Sequence, residues 1–410
     1  MRDDKLKYSN NTLQPKVILK NSPDFLNSDL VSAAVLVLAT LAALIAANGP
    51  TSGGYDAVFD TSLRLNFGPW DVKQTVREWA NALLMAIFFF SVGLEIKQEL
   101  VAGSLSSRRS ALMPAAGALG GMVIPGLIFI FLNRGQETIT GWAIPMATDP
   151  AFTIAILSTL RKQVPQGLRA LILALAVVDD IGATIVIALV YHHGLKLSPL
   201  MIILAISSLL LLMNRAGVQR LLFYFLVGGV LWVVFLDSGI HTSVGGVLLA
   251  MMIPAEKKGE GKGSLLVDVE RSLSPWIKYL ILPLFAFCNA GIYLREISLI
   301  QSLQSSVFSG SFWGLVAGKP AGILLFSSLA VLLGAAHLPR GIRWSHVAGG
   351  GFLSGIGFTT SIFLAGLAFG GGSAYKQSVL AILLASSVAA LVGSVILIMI
   401  PSGDERGDGR

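Results

Sequence analysis

For most of its length this 410-residue chain neither alternates polar and apolar positions nor repeats them on one helical face. Its hydrophobic residues gather into long runs separated by short polar gaps. A helix crosses hydrocarbon in about 20 such residues, because its backbone polar groups are all paired inside the segment. Twelve spans are predicted on this pattern, near 29–48, 79–96, 110–132, 142–160, 167–192, 198–213, 220–236, 239–253, 275–294, 308–334, 343–369 and 375–400. The seventh and eighth are short and meet at Asp237-Ser238-Gly239. One segment does alternate with period two: Ser62-Leu63-Arg64-Leu65-Asn66-Phe67, before Gly68-Pro69, predicts a strand in a small external hairpin within 51–72. Residues 256–263, rich in glycine and charge, read as a flexible linker between the eighth and ninth spans. The expected architecture is an all-α polytopic membrane protein. It has a polar segment 1–28, a single membrane domain 29–400 and a disordered tail 401–410.

Composition supports that picture. Charged residues make up 13% of the chain, against about 25% in soluble domains. The net charge of +7 does not point to nucleic acid, because the basic residues sit in short gaps and form no basic face. They act as topology signals instead. With the N-terminus in the cytoplasm, 22 of the 30 Lys and Arg residues fall inside and 7 outside, with Lys319 left within a span. Adding or losing a span would scramble that asymmetry, so cytoplasmic termini are expected. The first run is long and lacks a small-residue cleavage pattern, so it reads as a retained helix rather than a signal peptide. Cys288, the only cysteine, excludes an internal disulfide and reads as a free structural thiol.

The candidate chemistry lies in charges at membrane depth, each costing about 2.5–3.5 kcal/mol to insert. Asp179 and Asp180 fall near the middle of the fifth span. Adjacent helical residues point about 100° apart, so one carboxylate can face a water-filled cavity while the other reaches a neighbouring helix. Two close carboxylates resist joint ionisation, a property needed to trade protons for a small cation. Asp149 follows Thr148 in a fourth span disrupted by Pro145 and Pro150. It suits capping a broken helix or binding a cation. Lys319, in the tenth span, suits the counter-ion of a buried Asp, a second proton carrier, or a neutraliser of carbonyl ends. The glycine-dense stretch Gly349–Thr360 marks either a second unwound segment or close helix packing. Interrupted spans at corresponding places, in spans three to five and ten to twelve, predict inverted-topology repeats. Glu95 and Glu99 share a helix face at the end of the second span, where they suit a cation funnel or a solvated helix end. Glu270 lies at the start of the ninth span. His241, in the loop after Asp237, is either structural or a pH-responsive group.

These motifs resemble the NhaA family of sodium/proton antiporters, which exemplifies inverted repeats built with broken helices. Seven blocks carry the resemblance in order: FFFSVGLEIKQEL (88–100), GWAIPMATDPAFTIAIL (141–157), LALAVVDDIGA (173–183), SGIHTSVGGV (238–247), LILPLFAFCNAGI (280–292), GKPAGI (318–323) and SGIGFTTSIF (354–363). The resemblance implies two broken helices crossing at mid-membrane. It also implies electrogenic, pH-regulated exchange of one sodium or lithium ion for two protons, without a cofactor. It assigns transported sodium to Asp180 with Asp179 as partner, and a salt bridge between Asp179 and Lys319. It places Thr148 and Asp149 at the crossing, and Glu95, Glu99 and Glu270 at positions tied to pH response and the funnel. It further implies a homodimer formed through the hairpin, embedded in the lipid of a bacterial inner membrane.

Four departures stand out: Pro150 after the Asp, Gln98 for a basic residue, Thr360 for a Met, and Glu270-Arg271-Ser272-Leu273-Ser274 without histidines. Two rival classes fit less well. An aspartyl protease needs carboxylates facing each other from different helices, which adjacent Asp179 and Asp180 cannot provide, although Asp149 could partner one of them. A sodium-coupled solute symporter needs a roomy site of neutral polar groups, and an acidic pair with Lys319 suits proton exchange better.

Overall fold

The computed structural model describes residues 23–50, 52–67, 70–161, 163–192, 194–255, 264–294, 299–339 and 341–400. The expected linker 256–263, the tail 401–410 and residues 1–22 of the N-terminal segment lie outside them. Helix α1 (Pro23–Asn48) starts six residues before the predicted first span, within the polar segment 1–28. After α2 (Ser52–Phe59) comes an antiparallel hairpin, β1 (Ser62–Phe67) with β2 (Trp70–Thr75), in which Leu65 pairs with Val72. The hairpin expected over 51–72 is thus a short helix followed by strands that extend to Thr75.

The remaining helices are α3 (Val76–Ala102), α4 (Arg108–Leu132), α5 (Pro150–Thr159), α6 (Gln166–Leu189), α7 (Leu197–Arg215), α8 (Leu221–Ser238), α9 (Thr242–Met252), α10 (Leu265–Trp276), α11 (Leu282–Asn289), α12 (Leu299–Gln304), α13 (Ser306–Trp313), α14 (Lys319–Leu332), α15 (Trp344–Ser354), α16 (Phe358–Phe369) and α17 (Gly372–Met399). Apart from the fourth and the eleventh, which are each interrupted, every predicted span falls on one helical stretch. Eight stretches of described residues are long and apolar enough to cross a membrane. A ninth is the pair α15 and α16, bent by 49° at its break. The fourth span is a 3-10 helix, Glu137–Met146, followed by α5. The eighth is the short α9, set off from α8 by Gly239 at φ 85°, a left-handed turn that glycine adopts without strain.

Two π-turns, Ile277–Ile281 and Gly314–Gly318, join α10 to α11 and α13 to α14. Each is followed two residues later by a proline, Pro283 or Pro320. Proline offers no N–H to the preceding turn, and the ladder locally widens to bonds five residues apart: Leu282 N–H to Ile277 O, and Lys319 N–H to Gly314 O. The second turn delivers Lys319 to the protein interior.

Spans three to five (α4, the broken fourth span, α6) and ten to twelve (α13–α14, α15–α16, α17) form two units of opposite direction, each broken in its middle span. Their first members pack backbone to backbone. A methyl group on Gly120 would collide with the Gly322 carbonyl oxygen, and one on Gly322 with the Gly120 carbonyl. This contact fixes the distance between the units and hence the crossing of their broken spans.

Candidate functional site

The breaks, at 147–149 and 355–357, meet directly: Asp149 N–H donates to Ile356 O over 2.6 Å. At such a crossing two helix N-termini present unpaired N–H groups and two C-termini present unpaired carbonyls. The buried Asp149 carboxylate serves both N-termini. Its Oδ1 accepts from Ala151 N–H (3.1 Å) and Phe152 N–H (3.4 Å) of α5. Its Oδ2 accepts from Thr359 N–H (3.1 Å) and the Thr359 hydroxyl (2.6 Å) of α16. Pro150 occupies the first position of α5, where no N–H would have been paired, so this departure from the family pattern breaks no bond. At the C-termini, Lys319 Nζ donates to Met146 O, and the Thr148 hydroxyl lies 2.9 Å from Ser354 O. One carboxylate, one ammonium and one hydroxyl thereby serve both breaks.

Thr148 and Lys319 converge on a single oxygen. Asp179 Oδ2 lies 2.7 Å from Thr148 Oγ1 and 2.6 Å from Lys319 Nζ. The Lys319 side chain is 0% exposed and that of Asp179 1%. Thr148 has one hydroxyl hydrogen and two acceptors, Asp179 Oδ2 and Ser354 O. With Asp179 ionised, the hydrogen serves the carboxylate and Ser354 O is left short. With Asp179 protonated, the acid can donate to Thr148 and Thr148 to Ser354 O, so that both of these groups are paired. The triad can therefore register one proton by a hydroxyl rotation. Asp179 Oδ1 is buried and unpaired among the described residues.

Asp180 occupies the adjacent face of α6, 3% exposed. Its carboxyl group has no hydrogen-bond partner among the described residues, and it interacts electrostatically with Glu95, Asp179, Lys319 and Asp149. A carboxylate without committed donors is the group free to take either a proton or a small cation. The structure thus brings Thr148, Asp149, Asp179, Asp180 and Lys319 together. Thr360 follows Thr359 on α16, its buried hydroxyl without a partner among the described residues.

Glu95 links this core to one end of the bundle. It interacts with Asp180, and also with Glu270, Glu99 and Lys278. Burial pushes the Glu270 carboxyl, on α10 ahead of the ninth span, above its ordinary value, against the opposing effects of Arg271 and Lys278. The sequence reading missed two residues here. Asp29, in the first turns of α1, is 2% exposed and accepts from Lys278 Nζ at 2.7 Å. The available signal was an acid opening an apolar run and a lysine just inside another. The fourth pH-response candidate is not in this group. His241 lines a cavity of ≈ 970 Å³ at the hairpin end, with Asp60, Arg77, Asp237 and Lys376. Its Nδ1 caps α9 by accepting from Ser243 N–H (3.2 Å), and its ring meets Phe363 edge-on at 4.9 Å.

The family model described as Na+/H+ antiporter 1 matches residues 23–397. A protein of Aeromonas hydrophila subsp. hydrophila named Na(+)/H(+) antiporter NhaA is 44% identical over 376 residues, covering 91% of this chain and 94% of the relative. One of Klebsiella pneumoniae subsp. pneumoniae, named Na(+)/H(+) antiporter NhaA 1, is 42% identical, covering 93% and 97%. The solved structure of a sodium proton antiporter from Methanocaldococcus jannaschii superposes with a TM-score of 0.50 at 13% identity, over 91% of this chain and 95% of that one, a likeness of fold.

Proposed function

Because the chain belongs to the Na+/H+ antiporter 1 family, we propose that it exchanges sodium or lithium ions for protons across the membrane it spans. The observation that carries this reading is the inequality of two adjacent buried acids. Asp179 is committed to Thr148 and Lys319, whereas the Asp180 carboxyl has no donor among the described residues. Asp180 binds the transported cation when ionised and a proton when empty. The two cargoes are mutually exclusive, so transport of one drives the other back. The Asp179–Lys319–Thr148 triad carries the second proton, and two protons against one monovalent cation make the cycle electrogenic. Asp149 holds the crossing together and supplies the negative charge its helix N-termini require.

Glu95, Glu99 and Glu270 gather cations at the cytoplasmic mouth, and with His241 on the far side they make the rate depend on pH. The termini face the cytoplasm of a bacterial inner membrane, and the cycle expels sodium at the expense of the proton gradient. The protein works as a homodimer through the hairpin, whose Leu63 and Leu65 sit on one strand face, each 43% exposed. The purified protein in liposomes, with sodium inside and a pH dye outside, tests the charge balance. A potassium/valinomycin clamp should speed proton movement several-fold, whereas an unchanged rate would make the exchange electroneutral.

A further inference from the structure

We propose that Lys278, tethered by Asp29, is an internal counter-cation that sets how strongly the acidic mouth attracts the transported ion. It thus acts as a positioning residue for cation uptake. The inference rests on the exchange reading above and adds two residues to it. Lys278 lies on the π-turn after α10, where the widened ladder turns it towards α1. Its Nζ lies 2.7 Å from Asp29 Oδ1, and the Lys278 side chain keeps 26% exposure against 3% for Asp29. The other Asp29 oxygen lies 3.5 Å from the Ser158 hydroxyl on α5, so Asp29 is fixed at a seam of two helices while the lysine reaches it from a third. The same ammonium acts electrostatically on Glu95 of α3 and on Glu270 of α10. One positive charge is therefore shared among three carboxylates on three elements. Glu95 among them is the one that reaches Asp180.

A lysine is a compact charge on a flexible four-carbon stem. Held by Asp29, it neutralises an acid that would otherwise be buried alone, and it partly cancels the field of Glu95 and Glu270. Released from Asp29, it would swing to those two carboxylates and occupy the place of an arriving sodium ion. The two members of one ion pair thus have opposite effects on uptake, which a bolt between helices would not give.

The test is sodium-dependent exchange in vesicles, with apparent KM and maximal rate resolved for four variants and the native protein. Lys278→Gln keeps the stem and removes the competing charge. It should lower the sodium KM about threefold to tenfold, the effect of one charge across a partly hydrated gap, with the maximal rate retained. Asp29→Asn weakens the tether and should raise KM by a similar factor. The double variant should behave as Lys278→Gln alone, and Lys278→Arg should match the native protein. Shifts of the same sign in both single variants, or an unchanged KM in Lys278→Gln while exchange persists, would overturn the proposal. Silence of the native protein would instead sink the exchange reading on which it rests.

Discussion

Lys319 Nζ lies 2.6 Å from Asp179 Oδ2 in a pocket sealed from water, while the second Asp179 oxygen has no partner among the described residues. A buried ion pair gains little net stability, because desolvating two charges offsets their attraction. Breaking one by removing a single partner is far more costly, about 3–5 kcal/mol. Lys319→Ala should therefore melt well below the native protein. Adding Asp179→Asn should recover much of the loss, since the stranded charge is gone. A double variant no more stable than Lys319→Ala would show that Lys319 contributes through packing.

Thr148 should discriminate by its hydroxyl, not its shape. Thr148→Ser keeps the donor shared between Asp179 and Ser354, and exchange should persist near the native rate. Thr148→Val removes it and leaves buried acceptors unpaired, each costing about 1–3 kcal/mol. Its exchange should fall at least tenfold, with the pH optimum displaced. Equal activity of the two variants would remove Thr148 from the proton relay.

Asp149 should matter most for assembly. Asp149→Ala strands Ala151 N–H, Phe152 N–H and Thr359 N–H at the crossing, again about 1–3 kcal/mol for each buried group. Asp149→Asn keeps acceptor oxygen on only one side, so it should be intermediate. Melting in detergent gives the order native, Asn, Ala. The opposite order for the two variants would contradict the double-cap geometry.

Most of the spans were legible because crossing hydrocarbon requires a long apolar run: eight helices among the described residues, and a ninth bent pair, are long and apolar enough to cross. The pairing of Asp179 with Lys319 was legible only through family resemblance, since composition says that a buried lysine needs a partner without saying which. The position of the breaks was half legible. Pro145 and Pro150 bracket the first, but the glycines at 349–351 are helical and the second break falls at 355–357. Glycine tolerates either state, so long-range bonds to Asp149 and Thr148 decide. The strand at 62–67 was legible in its period-two alternation, whereas the bounds 51–72 were not, because residues 52–59 form a short helix and the second strand runs from Trp70 to Thr75. Asp29 and Lys278 escaped notice because each sits at a span end, where a charge is ordinary; only their 2.7 Å contact makes them a pair.

Glu270 gives a pH-dependent signature of stability. Its folded pKa is raised by burial, so the neutral acid is the form that the fold favours. Its contribution is fully present below the unfolded carboxyl pKa and is lost as pH rises through the folded value. Glu270→Gln should therefore melt less pH-dependently than the native protein across that window, in thermal scans from mildly acidic to neutral pH. An unaltered pH slope would mean that Glu270 is solvated in the folded protein.

Exchange at one site requires Asp180 to alternate between a proton and a sodium ion. Inside-out vesicles energised to hold an acid interior, and read by a pH-gradient dye, test it across a pH series for the native protein and Asp180→Asn. Sodium and lithium should collapse the gradient with the native protein and not with the equally expressed Asn variant. Collapse by sodium with Asp180→Asn at the native rate would contradict it.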